Sequence, residues 1–343
     1  MKKVTIYTLA DKRPDFIEPQ YHSFEKFITD EYEFVVLNNA IDSRSRRKEI
    51  HTVCERLGIR CVEVKKSQNL KAIGGEKVFS WFGSYRNANL ACAYPIEWAW
   101  PMMCEDNKNG LFVLIDSDMF ICRPISFIKE IGEYDAGLVI QYRGLHDHRT
   151  TASVTYPWNG ICIFNPAHIL ELKKLRWDCG VVNSFPVDVG GFGHYWLKDH
   201  AIRIQHISEY AIHTFKVDSE DIWLEATLNG NYHYSFWYNK QSRLTKDFHC
   251  YEKGWQGHDA ILPHFPENFQ QTLQKKTIAY YERFVMNKQT YPMPTFLGLI
   301  EFETFSEAID PFIIHNKAGS GYMGFDKEYG TLKLQFIRKT LGI

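Results

Sequence analysis

Apolar and polar positions alternate regularly through the first part of the chain. Short apolar runs at 4–10, 32–37 and 59–64 predict strands, and amphipathic stretches at 15–29 and 44–57 predict helices between them. Strand, helix, strand, helix, strand is the order of a parallel sheet built from right-handed crossovers. The pattern therefore predicts an α/β fold with a mostly parallel central sheet flanked by helices.

Further elements follow before the pattern breaks down. Helices are predicted at 79–100 and 329–341, and strands at 111–115, 136–142 and 202–207. Residues 216–305 lose the alternation, apart from a helix predicted at 266–286. We expect 1–215 and 306–343 to form one domain, and 216–305 to form an irregular insertion.

The apolar run from Leu111 to Ile115 is short enough for a strand buried on both faces, and it ends abruptly in Asp116-Ser117-Asp118. Residues i and i+2 of an extended chain point the same way, so both carboxylates can lie on one side. Two clustered carboxylates repel each other unless a cation joins them, and Mg2+ or Mn2+ prefers such oxygen ligands. A solvated turn is the alternative, because turns after strands also favour Asp.

The apolar strand, the Asp-x-Asp motif and the Met-Phe-Ile-Cys-Arg-Pro-Ile segment at 119–125 together resemble the metal and nucleotide-sugar site of GT-A glycosyltransferases. Asp-Lys-Arg-Pro-Asp-Phe at 11–16 adds a resemblance to uncharacterised glycosyltransferase-like proteins of large viruses and bacteria. The resemblance implies a GT-A-like, Rossmann-type sandwich and transfer of a sugar from a nucleoside diphosphate sugar to an acceptor hydroxyl, such as that of a glycan. It also implies Mn2+ or Mg2+ bound by Asp116 and Asp118, with 216–305 on the acceptor side.

A second apolar run near the C-terminus, 311–314, ends in His315, and Lys317 and a Gly-Ser-Gly loop starting at Gly319 follow. In GT-A enzymes a C-terminal His often completes the metal shell, and a basic, glycine-rich loop folds over the diphosphate. The resemblance therefore implies His315 as a third metal ligand, with Lys317 and Gly319 at the diphosphate. A structural His after a strand is the alternative.

The resemblance also places the donor at the ends of the first two strands, on the helix before the Asp-x-Asp strand and on the strand after it. The implied donor contacts are Asp11, Arg13, Asn38, Arg86, Asn87, Ser117 and Asn159. A solvated turn or helix surface explains several of these side chains equally well.

Asp188 precedes a Gly190-Gly191-Phe192-Gly193 segment, in which glycine allows a sharp turn or a close approach of the backbone. It is our candidate for the carboxylate that binds or deprotonates the acceptor hydroxyl, since inverting transfer needs a base near the attacking oxygen. An Asp that stabilises the turn is the alternative. Trp158 offers a flat apolar wall, useful for a sugar ring and equally for packing.

Composition limits the possible partners. A chain of 343 residues with 45% hydrophobic content and a net charge of -1 is typical of a globular protein, and its charge does not indicate nucleic acid as a partner. No run approaches 18 apolar residues and the N-terminus leads directly into a strand, so we expect no membrane span and a cytoplasmic location.

The 8 cysteines contain no C-x-x-C pair, which favours reduced thiols over disulfides or zinc. His146 and His148 form an H-x-H pair without further ligands nearby, which makes zinc improbable there.

Two other functions fit parts of the pattern. Nucleotidyltransferases share a related sheet with metal-bound acids, but they usually carry a glycine-rich phosphate loop after the first strand, where this chain has Asp11-Lys12-Arg13-Pro14. A non-catalytic glycan-binding protein would keep the aromatic surfaces and need neither metal nor nucleotide.

Overall fold

A computed structural model describes the chain over residues 3–41, 43–64, 88–144, 153–216, 221–228, 232–239, 245–253, 259–261, 300–305, 311–316 and 327–343, with positions 275 and 278. The chain packs as two compact units, the first formed by 1–145 with 149–206, the second by 146–148 with 207–343. These two units are defined by backbone contacts alone. The prediction that 1–215 and 306–343 form a catalytic domain, with 216–305 as an acceptor-side insertion, assigns functions to segments and stays a prediction.

The first unit contains most of the regular elements. Its strands are β1 (Val4–Ala10), β2 (Tyr32–Asn38), β3 (Arg60–Glu63), β4 (Leu111–Asp116), β5 (Met119–Ile121), β6 (Ala136–Gly144), β7 (Ser153–Phe164), β8 (Gly180–Val182), β9 (Phe185–Val187) and the start of β10 (Ile204–Lys216). Its helices are α1 (Ile17–Phe27), α2 (Arg44–Leu57), α3 (Ala88–Asp106), α4 (Phe127–Ile131) and α5 (Gly193–Asp199).

Seven of these strands form the central sheet in the order β3-β2-β1-β4-β7-β6-β10. All neighbours are parallel except β7, which runs antiparallel to both β4 and β6. The fold class predicted from the sequence, an α/β fold with a mostly parallel sheet flanked by helices, is confirmed.

The register of the sheet brings the ends of three strands to one edge. Leu9 of β1 lies opposite Asp116 of β4, and Ala10 lies opposite Asn38 of β2. Since the three strands are parallel, the loop after β1, the end of β2 and the Asp-x-Asp turn all begin at the same edge. This placement was predicted from the sequence and is confirmed.

An aromatic cluster fills the space between α3 and the sheet. The Trp100 ring of α3 lies 5.5 Å from Phe112, 5.2 Å from Phe164 and 5.1 Å from Trp177, measured between centroids and with tilted, edge-on geometry. Aromatic pairs prefer this arrangement to face-to-face stacking. On the opposite face, α1 packs Phe24 against Phe34 of β2, so β4 lies in a sheet that is covered from both sides.

Helix α3 extends further than its sequence pattern indicates. We predicted an end at residue 100, but the helix continues past Pro101 to Asp106. Met103 in this last part is fully buried in the core. Packing of the helix against the sheet therefore outweighs the tendency of Pro101 to end it.

The second unit is described mainly by strands. After Ile207, β10 pairs antiparallel with β11 (Asp221–Leu228) and β15 (Ile300–Phe305), and β12 (Tyr232–Asn239), β13 (Thr245–Lys253) and β14 (Asp259–Ile261) continue the antiparallel order beyond β11. β16 (Pro311–His315) pairs with β15, and α6 (Lys327–Leu341) ends the chain. The stretch expected to be irregular thus contains paired strands; the helix predicted at 266–286 lies outside the described residues, apart from positions 275 and 278. Among the described residues, no helix combines the length and apolar character needed to cross a membrane.

We predict that Phe112→Ala lowers the free energy of unfolding by about 3–5 kcal/mol, because it leaves a cavity among Tyr7, Trp100 and Phe164. Urea denaturation followed by tryptophan fluorescence measures this change. Leu170→Ala is the matched control, since Leu170 is 83% exposed and should change stability by less than about 0.5 kcal/mol. Equal effects of the two substitutions would contradict the proposed core.

Candidate active site

The Asp-x-Asp motif lies in the turn between β4 and β5. The five residues before Asp116 are buried, as are Met119 and the rest of β5, whereas Asp116, Ser117 and Asp118 are partly exposed. The sequence predicted a strand buried on both faces that ends at the acids, and this is confirmed. The carboxylates therefore meet solvent where a buried strand leaves the sheet.

Gln20 of α1 fixes the backbone of this turn. The side chain is fully buried, and its Nε2 donates hydrogen bonds to the carbonyl oxygens of Asp116, at 2.8 Å, and Met119, at 2.9 Å. These two carbonyls bracket the turn. One side chain from a distant part of the sequence therefore sets the position of the backbone that carries both acids.

Asn159 of β7 contacts the first acid directly. Its Nδ2 donates to Oδ1 of Asp116 at 3.1 Å and to the Cys92 sulfur of α3 at 3.3 Å. Asn159 is buried, so its amide has little freedom to turn away. The amide thus orients one carboxylate oxygen of Asp116.

Trp158 and Gly160 form the adjoining part of β7. Ile115 pairs with Ile161, so Asp116 and Gly160 occupy the next positions along the two strands. The Trp158 ring lies over Gly160 so closely that a Cβ there would lie 2.2 Å from a ring carbon. Gly160 thus makes room for the partly exposed Trp158 ring on the same strand.

Three carboxylates lie near Cys92. Burial raises the pKa of the Cys92 thiol well above its ordinary value, and the negative charges of Asp116, Asp188 and Asp118 raise it further. Asp188 therefore lies in the same neighbourhood as the Asp-x-Asp turn, although 70 positions of sequence separate it from Asp118. Cys92 remains a neutral thiol at physiological pH and adds no charge to this acidic site.

A tight glycine turn holds Asp188. Gly190 has a φ of +89°, and a Cβ there would lie 2.0 Å from the carbonyl oxygen of Pro157. The Asp188 N–H donates to the Tyr156 hydroxyl at 3.2 Å, and Oδ1 of Asp188 accepts from the Val189 N–H at 2.8 Å. Close approach of this turn to β7 therefore fixes Asp188 beside the strand that carries Asn159.

Three other predicted donor contacts lie at the same edge. Asp11 is partly exposed in the bend after β1. Arg13 is 5% exposed; its guanidinium forms a double hydrogen bond with Asp15 and lies over the Phe16 ring. Asn38 is fully buried and donates to the Arg47 carbonyl and the Glu63 carboxylate. A ligand would have to displace these hydrogen bonds to reach Asn38.

The remaining predicted residues are Arg86, Asn87, His315, Lys317 and Gly319. Arg86, Asn87, Lys317 and Gly319 lie outside the described residues. His315 ends β16 in the second unit and is 3% exposed. Its part in a metal site stays a prediction.

Sequence analysis missed Gln20, Cys92 and Tyr156 as residues that shape the site. The one available signal was a Gln among the core-facing positions of an amphipathic helix. A buried amide is rarely without hydrogen-bond partners, so such a Gln indicates a polar contact in the core. Nothing in the sequence indicated that the partners would be the carbonyls of residues 116 and 119.

No protein-family model matches the chain, and no curated protein matches it. Solved structures do match. The galactosyltransferase LgtC, in complex with donor and acceptor sugar analogs, is 17% identical over 50% of this chain and 58% of its own, with a TM-score of 0.29. A mannosyltransferase from Pyrobaculum calidifontis, in complex with GDP-Man and Mn2+, is 10% identical over 48% of this chain and 44% of its own, with a TM-score of 0.29.

Mouse xyloside xylosyltransferase 1 is 10% identical over 59% of this chain and 84% of its own, with a TM-score of 0.33. The chain thus spans 58% and 44% of the first two proteins. Likeness at this level gives no information on activity, so function has to be inferred from the residues of the site.

We predict that Gln20→Leu destabilises the protein by about 1–3 kcal/mol for each of the two carbonyls that it leaves without a donor. Chemical denaturation measures the loss. Glu25→Leu, the same kind of change on the exposed side of α1, should alter stability by less than about 0.5 kcal/mol. A neutral Gln20→Leu would show that these hydrogen bonds do not hold the turn.

We predict that Gly190→Ala destabilises the protein more than Gly58→Ala does. Gly58 also has a positive φ, +67°, but a Cβ there has no neighbour within 4 Å, so its substitution costs only the backbone strain of about 1–2 kcal/mol. Gly190→Ala adds the clash with the Pro157 carbonyl. Thermal unfolding of the two variants separates the cost of backbone strain from the cost of the clash. Equal losses of stability would refute the close approach of Gly190 to the Pro157 carbonyl.

Proposed function

We propose that this protein is a metal-dependent glycosyltransferase that transfers a sugar from a nucleoside diphosphate sugar to an acceptor hydroxyl, with a glycan as the acceptor. The observation that carries the proposal is the position of Asp116 and Asp118 where β4 reaches the carboxyl edge of a mostly parallel sheet, with Asn159 bonded to Asp116. Ligands of open α/β sheets bind at this edge.

The acids fit a hard divalent cation. Asp116 and Asp118 are partly exposed, and each carries oxygen ligands of the kind that Mn2+ and Mg2+ prefer. Asn159 orients one oxygen of Asp116 as an outer partner does in a metal site. A bound ion would neutralise negative charge on the donor diphosphate.

We assign the other predicted residues to the donor by the resemblance to GT-A enzymes. His315 would be the third metal ligand, and Lys317 and Gly319 would contact the diphosphate. Asp11, Arg13, Asn38, Arg86, Asn87 and Ser117 would surround the base, ribose and phosphates.

Asp188 is the residue to which we assign the acceptor hydroxyl. Its Oδ1 already accepts a hydrogen bond from the Val189 N–H, so Oδ2 is the oxygen that would accept the hydroxyl proton. The partly exposed Trp158, next to Asn159 on β7, offers an apolar face for the sugar.

Thermal shift with UDP-, GDP- and CDP-linked sugars, each with and without Mn2+, tests the proposal. We expect one nucleotide class to raise the melting temperature only when Mn2+ is present, because a ligand that binds the folded state stabilises it. Asp118→Asn should abolish the metal-dependent increase, since it removes one negatively charged ligand.

Asp199→Asn, a matched change at the end of α5, should leave the increase intact. Stabilisation without Mn2+, or stabilisation that survives in Asp118→Asn, would refute the metal-dependent site. Stabilisation by oligosaccharides alone would instead favour a glycan-binding protein.

A further inference from the structure

A second group of metal-ligand side chains lies at the edge strand β3, apart from the acids of β4. His51 and Cys54 lie one turn apart on α2, and Cys61 and Glu63 lie on one face of β3 because they are two residues apart. Gly58, with a φ of +67°, ends α2 and returns the chain at once toward β3. This short connection brings the two pairs together.

Three of these side chains already converge. The ligand atoms of His51, Cys61 and Glu63 all lie within 4.8 Å of one another, and His51 Nε2 is 2.5 Å from Oε1 of Glu63. Ligand atoms around a tetrahedral zinc ion lie roughly 3–4 Å apart, as bond lengths of about 2.0–2.3 Å require. Small side-chain rotations would therefore admit an ion.

A hydrogen-bond partner holds one of these side chains in place. Asn38 donates to Oε1 of Glu63 at 2.8 Å. Partners of this kind orient the ligands of established metal sites.

Arg47 is a nearby positive charge that opposes a cation. Its Nη1 lies 3.1 Å from Oε2 of Glu63. That contact engages Oε2, so Oε1, which faces His51 and accepts from Asn38, is the oxygen that would bind an ion. Arg47 also offsets part of the negative charge that a thiolate and a carboxylate bring together.

We propose that His51, Cys61 and Glu63 bind Zn2+, with the fourth position open to solvent. A set of one nitrogen, one sulfur and one oxygen ligand suits zinc and not Mg2+ or Mn2+, which take oxygen ligands. The side chains of His51 and Glu63 are 40% and 28% exposed, so the ion has access from solvent. Binding converts the Cys61 thiol to a zinc-bound thiolate and releases its proton to water.

Titration of the chelator-treated full chain with Co2+ tests this site, because a cobalt–thiolate bond gives a charge-transfer band that carboxylate ligands do not give. We expect one equivalent of Co2+ to produce the band and Zn2+ to abolish it. Cys61→Ser should remove the band, and His51→Gln should lower Co2+ affinity by on the order of 10-fold or more. Circular dichroism checks that each variant folds. His51 lies on a helix surface, so if Cys61→Ser does not fold, the Co2+ affinity of His51→Gln tests the site.

Two controls separate this site from the acids of β4. Cys179→Ser removes a partly exposed thiol close to Asp188, and Asp118→Asn disables the proposed catalytic metal site. Both variants should keep the band. No band in the wild type, a band that survives in Cys61→Ser, or loss of the band in either control would overturn the zinc site.

Discussion

One constraint at β4 shapes the rest of the structure. Residues 111–115 of this strand are buried, whereas the two carboxylates that follow them have to reach solvent. Backbone pairing with β1 and β7 holds the strand on both sides, and α1 and α3 cover its faces. Charged groups cannot follow the strand into this core, because an unpaired buried charge is costly. Asp116 and Asp118 therefore lie where the strand reaches solvent, and Gln20 holds both ends of the turn that carries them.

The neighbouring segments converge on this turn for separate reasons. Antiparallel pairing of β7 with β4 positions Asn159. The glycine turn that follows Asp188 packs closely against the backbone of β7 and positions Asp188. Cys92 comes from α3, whose aromatic residues anchor it to the sheet. Each of these contacts belongs to the first unit, so the acidic site is assembled by the packing of one sheet and its helices.

Much of this arrangement could be predicted from the sequence. The apolar run before Asp116 and the repeated strand–helix order fix the fold class and the sheet edge, because both follow from local periodicity. The partners of Gln20 and the meeting of His51 with Cys61 could not be predicted, since they depend on how helices pack over the sheet. The same holds for α3, where burial of Met103 carries the helix beyond Pro101, and for the strands after Ile207, whose pairing is antiparallel and whose sequence lacks a clear period.

We propose that Asp116 and Asp118, at the end of β4, bind a divalent ion together with the donor diphosphate. Anomalous diffraction from crystals grown with Mn2+ and a nucleoside diphosphate is the most direct measurement. We predict an anomalous peak within about 2.5 Å of a carboxylate oxygen of both Asp116 and Asp118, with the diphosphate bound to the same ion. A bound nucleotide with no Mn2+ at these carboxylates would contradict it.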